Sequence, residues 1–105
     1  MPGSTLTVGL IGAAAVLTVG LATVGSASVL GQRLAGAADA AALAAADAAS
    51  GAVTGVPCER AAEIAAVAGV ALEACELDEL VATVTVSARF GILPATASAR
   101  AGPPS

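Results

Sequence analysis

The 105-residue chain has no Trp, Tyr, His or Lys, and its one aromatic residue is Phe90. Without histidine, proton transfer would fall to carboxylates. There is also no Ser/His/Asp set, no Cys/His pair and no glycine-rich phosphate loop. These absences point away from catalysis and from a cofactor or small-molecule substrate. Four arginines stand against eight acids, for a formal net charge of −4. Phosphate neutralisation needs clustered Lys and Arg, so no nucleic-acid partner is expected. Large apolar side chains are scarce too. The chain is 57% hydrophobic, but most of that is Ala and Val. Burial of bulky side chains supplies most hydrophobic stabilisation. A chain this short forms one domain at most, so its stability must lean on close helix packing, a partner or a crosslink.

Charge is missing altogether from Pro2 to Gln32, and Arg33 is the first ionised side chain. The run LTVGLIGAAAVLTVGLATVGSASVLG, residues 6–31, exceeds the roughly 20 residues that a helix needs to cross a bilayer. A core helix would need a body large enough to surround it, which the remaining residues do not supply. A cleaved signal peptide is a second reading, with Leu6 to Val24 as its apolar region and GSAS (25–28) as the cleavage stretch. No Lys or Arg precedes that region, and it is long for a signal sequence. The leading expectation is therefore a retained transmembrane helix.

Small residues recur along this segment at Gly9, Gly12, Ala13, Gly20 and Gly25, and beyond them at Gly31 and Ala35. Gly9 and Ala13 are four apart, as are Gly31 and Ala35, and small-xxx-small spacing lets helix backbones approach closely in lipid. Gly9, Gly12, Ala13, Gly20, Gly31 and Ala35 are thus the candidate helix-packing positions.

The next stretch, AGAADAAALAAADAAS (35–50), is nearly pure alanine. Alanine has the highest helix propensity, and no proline occurs between Pro2 and Pro57. The first helix is expected to continue to about Ser50-Gly51. Asp39, Leu43 and Asp47 share one face, either as a solvated stripe or as intersubunit salt-bridge partners. VTGVP (53–57) is a break, with Pro57 suited to open a second helix. In CERAAEIAAVAG (58–69), Ala61, Ile64, Ala65 and Ala68 form one apolar face, Glu59 and Glu63 suit the first turns, and Gly69 suits the stop.

The period then changes. VALEACELDELVATVTVSA (70–88) reads as two strands around a turn near Leu77-Asp78-Glu79. Leu80, Ala82, Val84 and Val86 alternate with Val81, Thr83, Thr85 and Ser87. FGILP (90–94) reads as a loop. ATASARA (95–101) reads as a third strand, alanines inward and Thr96, Ser98 and Arg100 outward. The acids Glu73, Glu76, Asp78 and Glu79 read as a solvated turn.

The expected fold class is α+β: a long N-terminal helix, a short helix and a small antiparallel sheet of two to three strands. The segments are 1–32, the transmembrane or assembly half of the helix; 33–52, its alanine-rich extracytoplasmic continuation; 53–101, the helix-and-sheet domain; and 102–105, a tail.

Two cysteines remain, Cys58 and Cys75. In a small, core-poor extracytoplasmic domain they suggest a disulfide; the other reading is two buried free thiols. A metal site is poorly supported, with no CxxC and no His. Topology is contested. Arg33 alone would place the C-terminus in the cytoplasm, whereas a disulfide places it on the oxidising side.

The ordered combination of GSTLTVGLIGAAAVLTVG, QRLAGAADAAALAAADAASG, PCERAAEIAAVAGVALEACELDELVATVTVSA and a terminal ARAGP resembles the actinobacterial TadE-like proteins. These are small pilin-like proteins found with tight-adherence (Flp-type) pilus and secretion genes. The resemblance implies a helix held in the membrane before assembly and then buried in a filament or pseudopilus, with other pilin-like subunits as partners. Type IV pilins usually carry a basic leader, a prepilin peptidase site and a glutamate at the fifth mature position. Here a leader ending at Gly3 puts Val8 at that position, and no acid precedes Asp39. The expected function is a minor pilin or pseudopilin of a Tad-type system, in the cell membrane or in a surface filament. The alternatives are a small secreted protein released by signal cleavage and a membrane-anchored accessory protein outside any filament.

Overall fold

The computed structural model describes residues 2–104 and, within them, all side chains except those of residues 2, 22–24, 26 and 27. Ser105 of the expected tail, and the Ser26 and Ala27 side chains of the expected cleavage stretch, lie outside the described set.

One helix, α1, runs from Pro2 to Ala49 over 48 residues. At 1.5 Å per residue it is about 72 Å long, and the whole molecule measures 76 × 28 × 17 Å. Its end is set by Gly51, at φ 82°. The Gly51 N–H donates to the Ala48 carbonyl at 3.2 Å and the Ala52 N–H to the Asp47 carbonyl at 2.9 Å. This pair of bonds is a Schellman motif, which needs a residue tolerant of positive φ. The second helix, α2 (Pro57–Val67), starts with Pro57 in its first turn. It ends in the same way: Gly69 has φ 75°, its N–H donates to Ala66, and that of Val70 donates to Ala65, both at 3.0 Å.

Three strands follow, β1 (Ala71–Asp78), β2 (Val81–Phe90) and β3 (Leu93–Ala101). They form an antiparallel meander in the order β1-β2-β3. The architecture is thus α+β, with a long apolar helix, a short helix and a three-stranded sheet. Both hairpin turns are tighter than the sequence pattern suggests. Asp78 pairs with Val81, so the first turn is Glu79-Leu80, with Glu79 at φ 56°. Leu80 therefore belongs to the turn rather than to the inward row, and is 43% exposed. Phe90 pairs with Leu93, so the expected FGILP loop shrinks to Gly91-Ile92. The register shifts between Leu72 and Ala74, and the Ser87 hydroxyl, on the neighbouring strand, donates to Glu73 within this bulge.

The core lies between the C-terminal half of α1, α2 and one face of the sheet. Leu34, Ala37, Ala38, Ala41, Ala42 and Ala45 from α1 meet Ala61 and Ala65 from α2 and Ala82, Val84 and Val86 from β2. Leu34, Val84 and Val86 are the largest fully buried side chains. The alanine stretch is thus a wall of the domain, and the expected boundary at residue 53 cuts through the core. Alanine is used there because a helix without protruding side chains can lie close to both α2 and the sheet. Ala68, expected on the apolar face of α2, is exposed because it caps the helix rather than continuing it. On β3 the alternation is as expected: Ala95, Ala97, Ala99 and Ala101 turn inward and Thr96, Ser98 and Arg100 outward.

Candidate functional site

The feature that sets this molecule apart from an ordinary small domain is the first half of α1. Residues Gly3–Leu21 are long and apolar enough to cross a membrane, and none of that segment is buried inside the molecule. Leu6, Val8, Leu10, Ile11, Val16, Leu17 and Leu21 are each at least 64% exposed. Apolar side chains left this open in water are costly, at about 25 cal/mol per Å², and among the described residues nothing covers them. This removes the core-helix reading.

Two hydroxyls of the segment bond back to its own helix. The Thr7 hydroxyl donates to the Gly3 carbonyl at 2.9 Å and the Thr18 hydroxyl to the Ala14 carbonyl at 2.8 Å. Each hydroxyl is thereby satisfied within its own helix, which lowers the cost of placing it in lipid.

The candidate packing residues Gly9, Gly12, Ala13, Gly20, Gly31 and Ala35 are all exposed. A Cβ placed on Gly9, Gly12, Gly20 or Gly31 would meet nothing within 4 Å. The structure therefore brings none of them against another element of this chain, and their surface is open to an external helix. Asp39, Leu43 and Asp47 are exposed on α1, and Leu43 and Asp47 border the Leu80 turn and the Gly102 end of the sheet. Among the described residues the one ion pair is Arg60–Glu63, at 2.9 Å and exposed.

Cys58, in the first turn of α2, and Cys75, in β1, form a disulfide with Cα atoms 5.8 Å apart. It bonds the short helix to the edge strand of the sheet. Closing a loop of this length contributes about 3 kcal/mol in the chain-entropy model. That is large beside a core whose bulkiest fully buried side chains are one leucine and two valines. The acids Glu73, Glu76, Asp78 and Glu79 are all exposed along β1 and its turn. Among the described residues no three His, Cys, Asp or Glu side chains converge as metal ligands would.

No family model, curated protein or solved structure matches the chain.

One surface escaped the sequence reading. Phe90, Ile92 and Leu93 crowd the tip of the β2–β3 hairpin, with Ile92 90% and Leu93 63% exposed. The signal was present in FGILP, since a solvent loop rarely strings three large apolar residues together.

Proposed function

We propose that this protein is a structural, non-enzymatic subunit, a minor pilin or pseudopilin of a Tad/Flp-type type IV pilus or secretion system, of the TadE-like kind. The observation that carries this reading is the division of α1. One continuous helix offers an unpacked apolar half and builds the wall of a disulfide-linked domain with the other half. Such a helix can leave the bilayer and enter a helical bundle without refolding the domain. The exposed positions Gly9, Gly12, Ala13 and Gly20 would let neighbouring helices approach closely there.

The disulfide supports an extracytoplasmic domain, because thiols stay reduced in the cytoplasm. The protein would then be a single-pass membrane protein with its C-terminus outside. Its partners would be the membrane and other pilin-like subunits, engaged through the helix. The alternatives are a secreted protein cut near Ser28 and an anchored accessory protein that stays out of any filament.

The test is alkaline phosphatase fused after Ser105, combined with detection of the native protein in sheared surface material. An active fusion and protein in the sheared fraction are expected. An inactive fusion with reduced cysteines would reverse the topology. An active fusion with native protein confined to membranes would favour the accessory role.

A further inference from the structure

We infer that the tip of the β2–β3 hairpin is a second membrane contact, which seats Phe90, Ile92 and Leu93 in the lipid interface beside the helical span. This rests on the reading of α1 as a membrane helix. The first observation is exposure: Ile92 is 90%, Leu93 63% and Phe90 39% exposed, at a two-residue turn with no acid between Phe90 and Pro94. The second is position. Leu80 and Gly102, at one end of the sheet, share a shallow surface pocket with Leu43, Ala46 and Ser50, at the C-terminal end of α1. The Phe90–Leu93 tip is the opposite end of the same strands. The chain leaves α1 at Ser50, and α2, packed on α1 through Ala61 and Ala65, delivers it to Ala71, which pairs with Ser87 three residues before Phe90. The strands thus carry the tip away from the Ser50 end, toward Leu34 and the apolar half.

The third observation is charge. Arg89 adjoins the tip, with Glu73 lining the same surface pocket, and Arg33 is the first charge after the apolar run; both arginines are exposed. Asp47, Asp78 and Glu79 lie at the other end of the domain, by the Leu80 turn, with Arg100 as the basic residue there. An end of net basic charge with exposed apolar side chains next to the span, and an end of net acidic charge away from it, suits a bilayer bearing anionic headgroups. The occupant is therefore a lipid surface. The hairpin tip and the span would together hold the domain upright at two points, which a single helix cannot do.

The absence of tryptophan makes the test direct. Full-length Leu10→Trp, Leu80→Trp and Ile92→Trp variants each carry a single fluorophore. They are reconstituted in vesicles of phosphatidylcholine with a minority of phosphatidylglycerol, with and without bromine on the acyl chains. Brominated lipid should quench Leu10→Trp and Ile92→Trp severalfold and leave Leu80→Trp bright and red-shifted. Leu93→Trp repeats the measurement should Ile92→Trp misfold. Quenching at Leu10→Trp without quenching at the tip overturns the hairpin contact and leaves the span standing. A tip shielded from iodide yet unquenched by bromolipid means that a second copy covers it, and overturns it too. Equal quenching at Leu80→Trp contradicts the upright orientation and with it the inference. No quenching at Leu10→Trp removes the membrane reading itself.

Discussion

Cys58 and Cys75 stand with their Cα atoms 5.8 Å apart and bonded through sulfur, one at the start of α2 and the other in β1. They join two elements whose shared core is made almost entirely of alanine and valine. Cys75→Ser should therefore destabilise the domain by about 3 kcal/mol. Denaturant unfolding of the variant and of wild type, each with and without reductant, measures this. Wild type should lose the same stability on reduction, and the variant should not respond to reductant. Intact mass under non-reducing conditions should show wild type two hydrogens lighter than its reduced form.

The alanine face of α1 should resist enlargement. Ala41 is fully buried and its neighbour Ala40 is exposed. Ala41→Leu should cost about 1–3 kcal/mol or more by overpacking, whereas Ala40→Leu should change stability by less than about 0.5 kcal/mol. Thermal unfolding of the two variants gives the comparison. For the same reason a fragment of residues 53–105 should fail to fold, since it lacks Leu34 and the buried alanines through Ala45. A fragment of residues 30–105 should fold, as dispersed amide resonances would show.

That contrast also marks what could be read in the sequence. The long helix follows from the missing prolines and the alanine propensity, and the strands follow from the alternation of Val with Thr and Ser in β2 and of Ala with Thr and Ser in β3. The cysteines followed from their scarcity in a core-poor chain. The partner of the alanine face could not be read. Alanine is compatible with a stalk, a bundle or a domain wall, and only tertiary contact decides. The first hairpin turn falls at Glu79-Leu80, beyond the point that the pattern suggests, because Glu79 takes a positive φ that its residue type does not announce. FGILP reads as a plain loop because proline and glycine mark turns more strongly than apolar side chains mark interfaces.

Gly102 and Gly36 should respond to alanine in opposite directions. A Cβ on Gly102 would lie 2.8 Å from the Leu80 carbonyl oxygen and 2.9 Å from Val81 Cα, both backbone atoms. Gly102→Ala should therefore force the end of β3 away from the Leu80 turn, at a cost of about 1–3 kcal/mol. Gly36 is inside α1 with nothing within 4 Å of an added Cβ. Gly36→Ala should stabilise the protein by about 0.5–1 kcal/mol through helix propensity. Chemical denaturation of both variants in detergent checks the sign of each.

A charge at the middle of the apolar segment should be poorly tolerated. Val16 is 73% exposed on α1, and an aspartate at a membrane-helix centre costs about 3 kcal/mol on insertion scales. Val16→Asp should deplete the protein from washed membranes, or block its assembly, while leaving the disulfide-linked domain intact. Fractionation with immunoblotting measures the first, and resistance of the domain to limited proteolysis measures the second. Full membrane retention with normal assembly would be the contrary result.

The central claim is that the apolar half of α1 is kept in the working protein. The most direct measurement is mass spectrometry of the natural N-terminus, on protein taken separately from washed membranes and from sheared surface material. The expected result is one mature form that retains the apolar half of α1, beginning at or before Ser4. The contradicting result is a mature protein that begins near Val29 and is soluble outside the cell, because the element proposed for membrane retention and assembly would then have been discarded.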